Sequence, residues 1–188
     1  EGVLEMVQRI RRQSDIPILC YTYMNPIYAR GAEGVLRDAA KAGVDGMLFL
    51  DLPVEESATY VSWMRKYNVN NISLVTPTTP PARIARIVER ASGFVYCVSR
   101  EGVTGAQKSL APAALDLVKR TKGLTPLPVA LGFGISTPEH AKSAAKVADA
   151  VVVGSAIVNR FHEAPNNTAG RLDAAAWVGK LVAAVKGA

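Results

Sequence analysis

Two glycine-flanked turns carry the strongest chemical signal in the chain. Gly132-Phe133-Gly134-Ile135-Ser136 and Gly154-Ser155-Ala156-Ile157-Val158 each follow a short apolar run, and the second can enter a short helix. Glycine lets backbone N–H groups approach an anion closely, and a helix N-terminus adds a favourable dipole. Either turn alone serves equally well as a tight strand-to-helix connection; the two in succession point to phosphate. The segment Arg100-Glu101-Gly102-Val103-Thr104-Gly105-Ala106-Gln107 is longer and more polar than the other turns, with two glycines that give it the freedom of a lid. Asp51 ends an apolar run, where it suits either acid–base chemistry or a helix cap. His140 and His162 fall in helical stretches with no ligand cluster beside them, so no metal is expected. Ser155 lacks the G-x-S-x-G elbow of a nucleophile.

These residues need elements to position them. Apolar runs at Ile16–Tyr23, Gly46–Leu52, Ile72–Thr76, Phe94–Ser99, Val129–Phe133 and Ala150–Val153 mostly lack polar alternation, the pattern of strands buried on both faces. Between them lie amphipathic stretches at Ala32–Ala42, Glu55–Tyr67, Pro81–Ala91, Ala111–Lys122 and Pro138–Val147, and a last helix is expected at Leu172–Val185. Such alternation implies a parallel sheet with right-handed crossovers. The run ends at Tyr23, Asp51, Thr76, Arg100, Gly134 and Gly154 are 28, 25, 24, 34 and 20 residues apart, the period of a (β/α) barrel. No G-x-G-x-x-G follows a first strand, so a dinucleotide-binding sheet is disfavoured. The expected fold is therefore α/β, a TIM (β/α)8 barrel incomplete here at about six of eight units, with residues 1–188 as a single domain. Residues 3 to 12 read as the last turns of a helix already under way, which suggests two further strands upstream. The first run, Ile16–Tyr23, then becomes an open edge with uncovered apolar surface. In such a barrel the strand C-terminal ends carry the site. Tyr21/Tyr23, Leu48/Leu50 and Tyr96/Val98 are spaced by two, so each pair shares a face. If that face is the barrel interior, the upper members line an apolar cup of aromatic size; core packing explains the same pattern.

Helix starts are marked by Ser136-Thr137-Pro138-Glu139, by Thr79-Pro80-Pro81, and by Pro53-Val54-Glu55-Glu56, which places carboxylates in a first turn. Glu163–Gly170 reads as a surface loop. The chain is 49% hydrophobic and 20% charged, with a net charge of +6. That is a globular composition, and its positive balance allows small phosphorylated metabolites as ligands. The basic clusters Arg9/Arg11/Arg12, Arg83/Arg86/Arg90 and Lys119/Arg120/Lys122 have helical spacing and read as solvated faces. Aromatic residues make up only 6%, and neither a nucleic-acid motif nor an apolar run of membrane-spanning length appears. Cys20 and Cys97 lie in apolar stretches and read as core filling in a reducing compartment, the cytoplasm.

Four segments taken together resemble one family. Asp51-Leu52-Pro53-Val54-Glu55-Glu56-Ser57, Ser99-Arg100-Glu101-Gly102-Val103-Thr104-Gly105-Ala106 and the two glycine turns occur in the order and at the distances of the tryptophan synthase alpha chain family. The resemblance covers essentially all 188 residues. It implies cleavage of indole-3-glycerol phosphate to indole and glyceraldehyde 3-phosphate. It also implies a beta-chain partner in an alpha2beta2 heterotetramer, which carries pyridoxal phosphate; this chain needs no cofactor. Gly105, Gly134, Gly154 and Ser155 correspond to the phosphate cradle. Tyr23, Leu48, Tyr96 and Phe133 correspond to the indole pocket, Thr104 to the lid, and Asn25 and Asp51 to positions that communicate between subunits.

The family's working carboxylates, a Glu on the second strand and an Asp in an F-S-D-P-x-A-D-G-P loop, find no counterpart and would precede Glu1. No catalytic residue is therefore assigned within these residues, and the chain by itself is expected to be inactive. Two other readings stay open: another phosphate-binding barrel, an isomerase or epimerase with Asp51 as base, and a non-catalytic module that only binds the beta chain.

Overall fold

The computed structural model describes residues 2–98, 112–132 and 134–188. Strands and helices alternate as expected, and strand order follows chain order in a six-stranded sheet. The residues group into two compact units, 1–74 with 82–95 and 75–81 with 96–188.

The first unit contains α1 (Val3–Arg11), β1 (Leu19–Thr22), α2 (Met24–Tyr28), α3 (Ala32–Ala42), β2 (Gly46–Phe49), α4 (Ala58–Lys66), most of β3 (Asn70–Val75) and α5 (Pro81–Arg90). β1 pairs parallel with β2, Leu19 opposite Gly46 and Tyr21 opposite Leu48; β2 pairs parallel with β3, Leu48 opposite Ile72. Every residue of β2 is buried, as its unbroken apolar run requires. Side chains alternate across the sheet, so Cys20, Met47 and Phe49 share one face and Tyr21, Leu48 and Ile72 the other. The first face packs on the helices: Met47 and Phe49 join Val7, Leu36, Ala39 and Met64 in one core. β1 is the sheet edge, and Ile16 (61% exposed), Tyr21 (57%) and Tyr23 (58%) leave its apolar surface uncovered, as anticipated.

Acidic residues fix the starts of strands. Asp45, just before β2, accepts from the Ile18 N–H at 2.6 Å through its carboxylate and donates its own N–H to the Ile18 carbonyl at 2.9 Å. The Arg11 guanidinium pairs with the same carboxylate and also donates to the Gly43 carbonyl at 2.9 Å. One side chain thus ties α1, the end of α3 and the start of β2.

The second unit contains β4 (Val95–Val98) from Tyr96 onward, α6 (Pro112–Lys122), β5 (Val129–Gly132), α7 (Pro138–Ala145), β6 (Ala150–Val152), α8 (Ser155–Glu163) and α9 (Thr168–Lys186). β5 pairs parallel with β6, Ala130 opposite Ala150. The same aspartate arrangement recurs. Asp149 accepts from the Val129 N–H at 2.9 Å, returns its own N–H to the Val129 carbonyl at 2.9 Å, and takes the Lys122 ammonium at 2.8 Å. Thr121 is fully buried in α6, where its hydroxyl accepts from the Cys97 thiol at 3.6 Å.

Several local expectations change. α2 is an extra helix directly after β1. α4 starts at Ala58, so Glu55 and Glu56 precede it and do not occupy its first turn. Glu55 instead binds Arg83 through both oxygens, at 2.7 and 2.9 Å, with Arg86 at 3.2 Å, so these two arginines are paired and not simply solvated. α9 begins at Thr168, four residues before Leu172, because Asn167 caps it by accepting from Gly170 N–H at 2.8 Å. Cys20 is only half-buried, since it lies on the edge strand, whereas Cys97 is fully buried and its thiol is pushed up to about 11.

The Asp149 arrangement predicts a pH dependence. The Lys122 ammonium and then the Val129 N–H hold the Asp149 carboxyl below the usual carboxylate range. Its stabilising contribution is therefore complete above the unfolded value of about 3.9 and is lost as pH falls through the lowered folded value. Asp149→Asn should lower the unfolding free energy at pH 7, measured by urea titration, by about 0.5 to 1 kcal/mol for a half-exposed pair, and should flatten the loss of stability between pH 5 and the acid limit. Identical acid profiles for the two proteins would show that this carboxylate does not contribute.

Candidate functional site

The C-terminal strand ends bring the chemistry-bearing residues to the rim of each unit. In the first unit, the face of the sheet away from the helix core carries Tyr21, Leu48 and Ile72 side by side. Leu48 is 1% exposed, while Tyr23, one step beyond β1, is open to solvent on the edge. Burial, with Tyr23 as a second cause, raises the Tyr21 phenol above its ordinary range. Asp51 follows β2, and its Oδ1 accepts from the Met24 N–H at 2.7 Å. Met24 is the first residue of α2, so this carboxylate caps a helix across the rim, satisfying an otherwise orphaned donor. Asn25 is the next residue and is exposed, while Ile27 of the same short helix is buried in the core. Asp51 is thus bonded to the residue that directly precedes Asn25. Sequence periodicity could not show α2, because five residues are too few to display a helical repeat.

In the second unit, Cys97 faces α6, so Tyr96, one residue earlier, faces the opposite side of β4. There its ring lies over Gly132. A Cβ placed on Gly132 would fall 2.5 Å from the Tyr96 hydroxyl, 2.7 Å from its Cε2 and 2.8 Å from the Val152 Cβ. Gly132 is therefore what admits the tyrosine. The glycine turn was legible in the sequence; the partner it makes room for was not.

Gly134 has φ of 78°, the left-handed region that strongly favours glycine, and so turns the chain after β5 toward α7. Thr137 then caps α7 by accepting from His140 N–H at 3.2 Å, with Pro138 at the first turn, as expected. Gly154 is the N-cap of α8 and Ser155 its first residue; both are exposed. Among the described residues, a Cβ on Gly154 would meet nothing within 4 Å. The Ile157 and Val158 N–H groups both return to the Gly154 carbonyl, at 2.9 and 3.2 Å. The N–H groups ahead of them lack an intrahelical acceptor, and no acidic residue lies in the first turn to compete with an anion.

The turn after β3 is also built up. Thr76 N–H donates to the Thr79 hydroxyl at 3.0 Å, and the Thr76 hydroxyl lies 3.0 Å from those of Thr78 and Thr79. Arg120 of α6 donates to the carbonyls of Thr79 (3.2 Å) and Pro77 (3.3 Å) and is itself braced by Asp116 at 2.7 Å. The sequence offered no sign of this role, since Arg120 sits in an ordinary basic helix end. Phe133, Thr104 and Gly105, and with them the lid segment, lie outside the described residues. Among the described residues, no group of three metal-ligating side chains converges, and no helix is long and apolar enough to cross a membrane.

Comparison with known proteins agrees in sequence and in fold. The family model described as tryptophan synthase alpha chain matches residues 1–186. A tryptophan synthase alpha chain from Opitutus terrae is 46% identical over 187 residues, 98% of this chain and 70% of that protein. One from Methanoregula boonei is 48% identical over 160 residues, 85% of this chain and 60% of that protein. The chain thus spans about 60 to 70% of the length of these curated relatives. Among solved structures, the Pyrococcus furiosus tryptophan synthase α2β2 complex superposes with a TM-score of 0.86 at 36% identity, covering 96% of this chain and 72% of that one. A tryptophan synthase from M. tuberculosis gives 0.84 at 32% identity, covering 97% and 66%. This chain has the fold of part of their (β/α)8 barrel.

The contact at Gly132 generates a direct test. Gly132→Ala should force Tyr96 out of its place, with an overpacking cost of about 1 to 3 kcal/mol. The thermal midpoint should fall, and Tyr96→Leu in the same chain should recover part of the loss. A Gly132→Ala protein as stable as the parent would show that the ring has another place to go.

Proposed function

The chain belongs to the tryptophan synthase alpha chain family, and from that premise we propose that it supplies the phosphate- and indole-binding portion of the subunit that cleaves indole-3-glycerol phosphate to indole and glyceraldehyde 3-phosphate in tryptophan biosynthesis. The single observation that carries this reading is the open glycine cradle. Gly134 is in the left-handed region, and Gly154, where a Cβ would meet nothing within 4 Å among the described residues, starts α8 with Ser155. Backbone N–H groups and a helix N-terminus suit a phosphate that is already ionised and needs no proton. Gly105 completes the cradle in this reading, and Thr104 closes over it. Tyr23, Leu48, Tyr96 and Phe133 take the indole ring.

The retro-aldol step breaks the bond between indole carbon 3 and the glycerol chain. An acid must protonate carbon 3 while a carboxylate balances the positive charge at the ring nitrogen; the conjugate base of that acid then takes the proton of the chain hydroxyl as the carbon–carbon bond breaks, its electrons pass into the ring, and the hydroxyl carbon becomes the aldehyde. The family's carboxylate motif does not occur in these 188 residues. This polypeptide by itself therefore binds without performing the chemistry. The partner is a beta chain, with which the subunit forms an alpha2beta2 heterotetramer in the cytoplasm. Pyridoxal phosphate belongs to that partner. The Asp51–Met24 hydrogen bond, 2.7 Å, gives the two proposed communicating positions a physical connection. If Asp51 lets go of the helix that bears Asn25, α2 loses its cap and the surface offered to the partner changes.

Calorimetric titration with indole-propanol phosphate tests the cradle. Binding should be measurable in the parent and lost in Gly134→Val, whose β-branched side chain opposes φ above zero; unchanged affinity would sink the assignment. The activity test is indole formation from indole-3-glycerol phosphate. The 188-residue chain should show none above background, and an extended chain that also carries the family's Glu and Asp should turn over, each group contributing about 10² to 10⁴ in rate. Turnover by the shorter chain equal to that of the longer one would place the chemistry on residues within it. Asp51→Ala in the extended chain should leave indole-propanol phosphate affinity intact and reduce the stimulation given by the beta chain.

A further inference from the structure

Where β3 starts and α4 and α5 end, a cavity of about 170 Å3 opens among Val61, Met64, Arg65, Asn71, Arg90 and Ser92. We propose that this cavity binds a small monocarboxylate with a short apolar body, held by the guanidinium groups of Arg65 and Arg90.

The lining divides by chemistry. Val61, Met64, Val69 and Ala91 supply apolar wall, and no Asp or Glu contributes to it. Arg65 is exposed and has no ion-pair partner among the described residues. Arg90 spends one nitrogen on the Ser57 hydroxyl at 3.3 Å, which leaves most of its donor fork unused. The polar atoms behind these two arginines are already engaged. Asn71, 8% exposed, gives its side-chain N–H groups to the Arg90 carbonyl at 2.9 Å and the Ser73 hydroxyl at 3.3 Å, and its backbone N–H to the Ser92 hydroxyl at 2.8 Å. The wall is therefore held in place while the two cations remain available. By contrast, Arg11, Arg83, Arg86, Arg120 and Arg160 each have a carboxylate.

Charge and size select the ligand. The C-termini of α4 and α5 both end at this cavity, and each brings roughly half a negative charge. Two guanidinium groups outweigh them by about one unit, which matches a singly charged carboxylate better than a phosphate dianion. A water takes about 30 Å3 of liquid, so the space of about 170 Å3 holds about six waters or a small carboxylate. Arg groups bind carboxylates through paired N–H donors, and the apolar wall takes the tail. The half-open setting makes the affinity weak, and the site is separate from the glycine cradle in its residues and in its chemistry.

The experiment is a titration of the full 188-residue chain with propionate, followed by 1H–15N correlation spectra, with neutral propionamide as control. Saturable shifts are expected at the Arg65 and Arg90 Nε–H and the Asn71 side-chain amide with propionate alone. Arg65→Gln, an exposed substitution that leaves the wall intact, should weaken binding about threefold to fivefold. Three results would overturn the proposal: shifts that do not saturate, an equal response to propionamide, or an unchanged affinity in Arg65→Gln. Shifts at the Gly154 and Ser155 backbone amides in place of these would put the carboxylate in the rim cradle and would overturn it equally.

Discussion

Parallel strands have no hairpin to set their register, so something else must, and here it is an aspartate at the start of the following strand. Asp45 and Asp149 each exchange two hydrogen bonds with one residue at the start of the preceding strand, Ile18 just before β1 and Val129 in β5. Each is then charge-balanced by a cation from a preceding helix, Arg11 or Lys122. One residue of slip would turn every inward side chain to the other face. The pairings Tyr21–Leu48–Ile72 and Gly132–Val152 hold only while those starts are fixed. The rim at the far end of each strand inherits its geometry from this lock.

Once register is set, period two separates folding from function along the same strand. In β2, Met47 and Phe49 go to the helices and Leu48 goes to the opposite face. In β4, Cys97 meets Thr121 of α6 and Tyr96 meets Gly132. Residues that hold the helices on can therefore be large and closely packed without intruding on the face that carries Tyr96 and Leu48. The edge strand shows the limit of this arrangement. With a neighbour on one side only, β1 exposes alternate residues, and Tyr21 and Tyr23 stand in solvent although their counterpart Leu48 is buried.

Much of this was legible in the sequence, because a strand buried on both faces leaves an unbroken apolar run and a rim glycine marks the turn that follows it. The six strands, the open edge and the cap at Thr137 were all visible in that way. What escaped was chiefly long-range. Glu55 seemed placed for the dipole of α4 but is taken by Arg83, 28 residues later; two charges that distant in sequence announce nothing to each other. Arg120 reaches the turn at Pro77 and Thr79 across more than 40 residues. Asp51 could be read as acid, base or cap, and only the position of Met24 decides for the cap. The α9 boundary was missed for a local reason: Asn167 begins the helix before its apolar periodicity becomes apparent.

The candidate cradle has a further physical consequence. Gly134, Gly154 and Ser155 carry no charge, so attraction to phosphate there would come from aligned N–H groups and the start of α8, whose partial charge acts within about one turn. A lysine could follow an ion through many rotamers, whereas backbone N–H groups point where the fold aims them. Affinity from such a site depends on placement to within tenths of an ångström and little on the net charge of the protein. That makes the register lock at the strand starts relevant to ligand recognition at the strand ends. Asp149 sets β6 against β5, and β6 delivers Gly154 and Ser155 beside the turn that Gly134 forms after β5. A carboxylate at the start of the strand thus determines where neutral donors sit at its end.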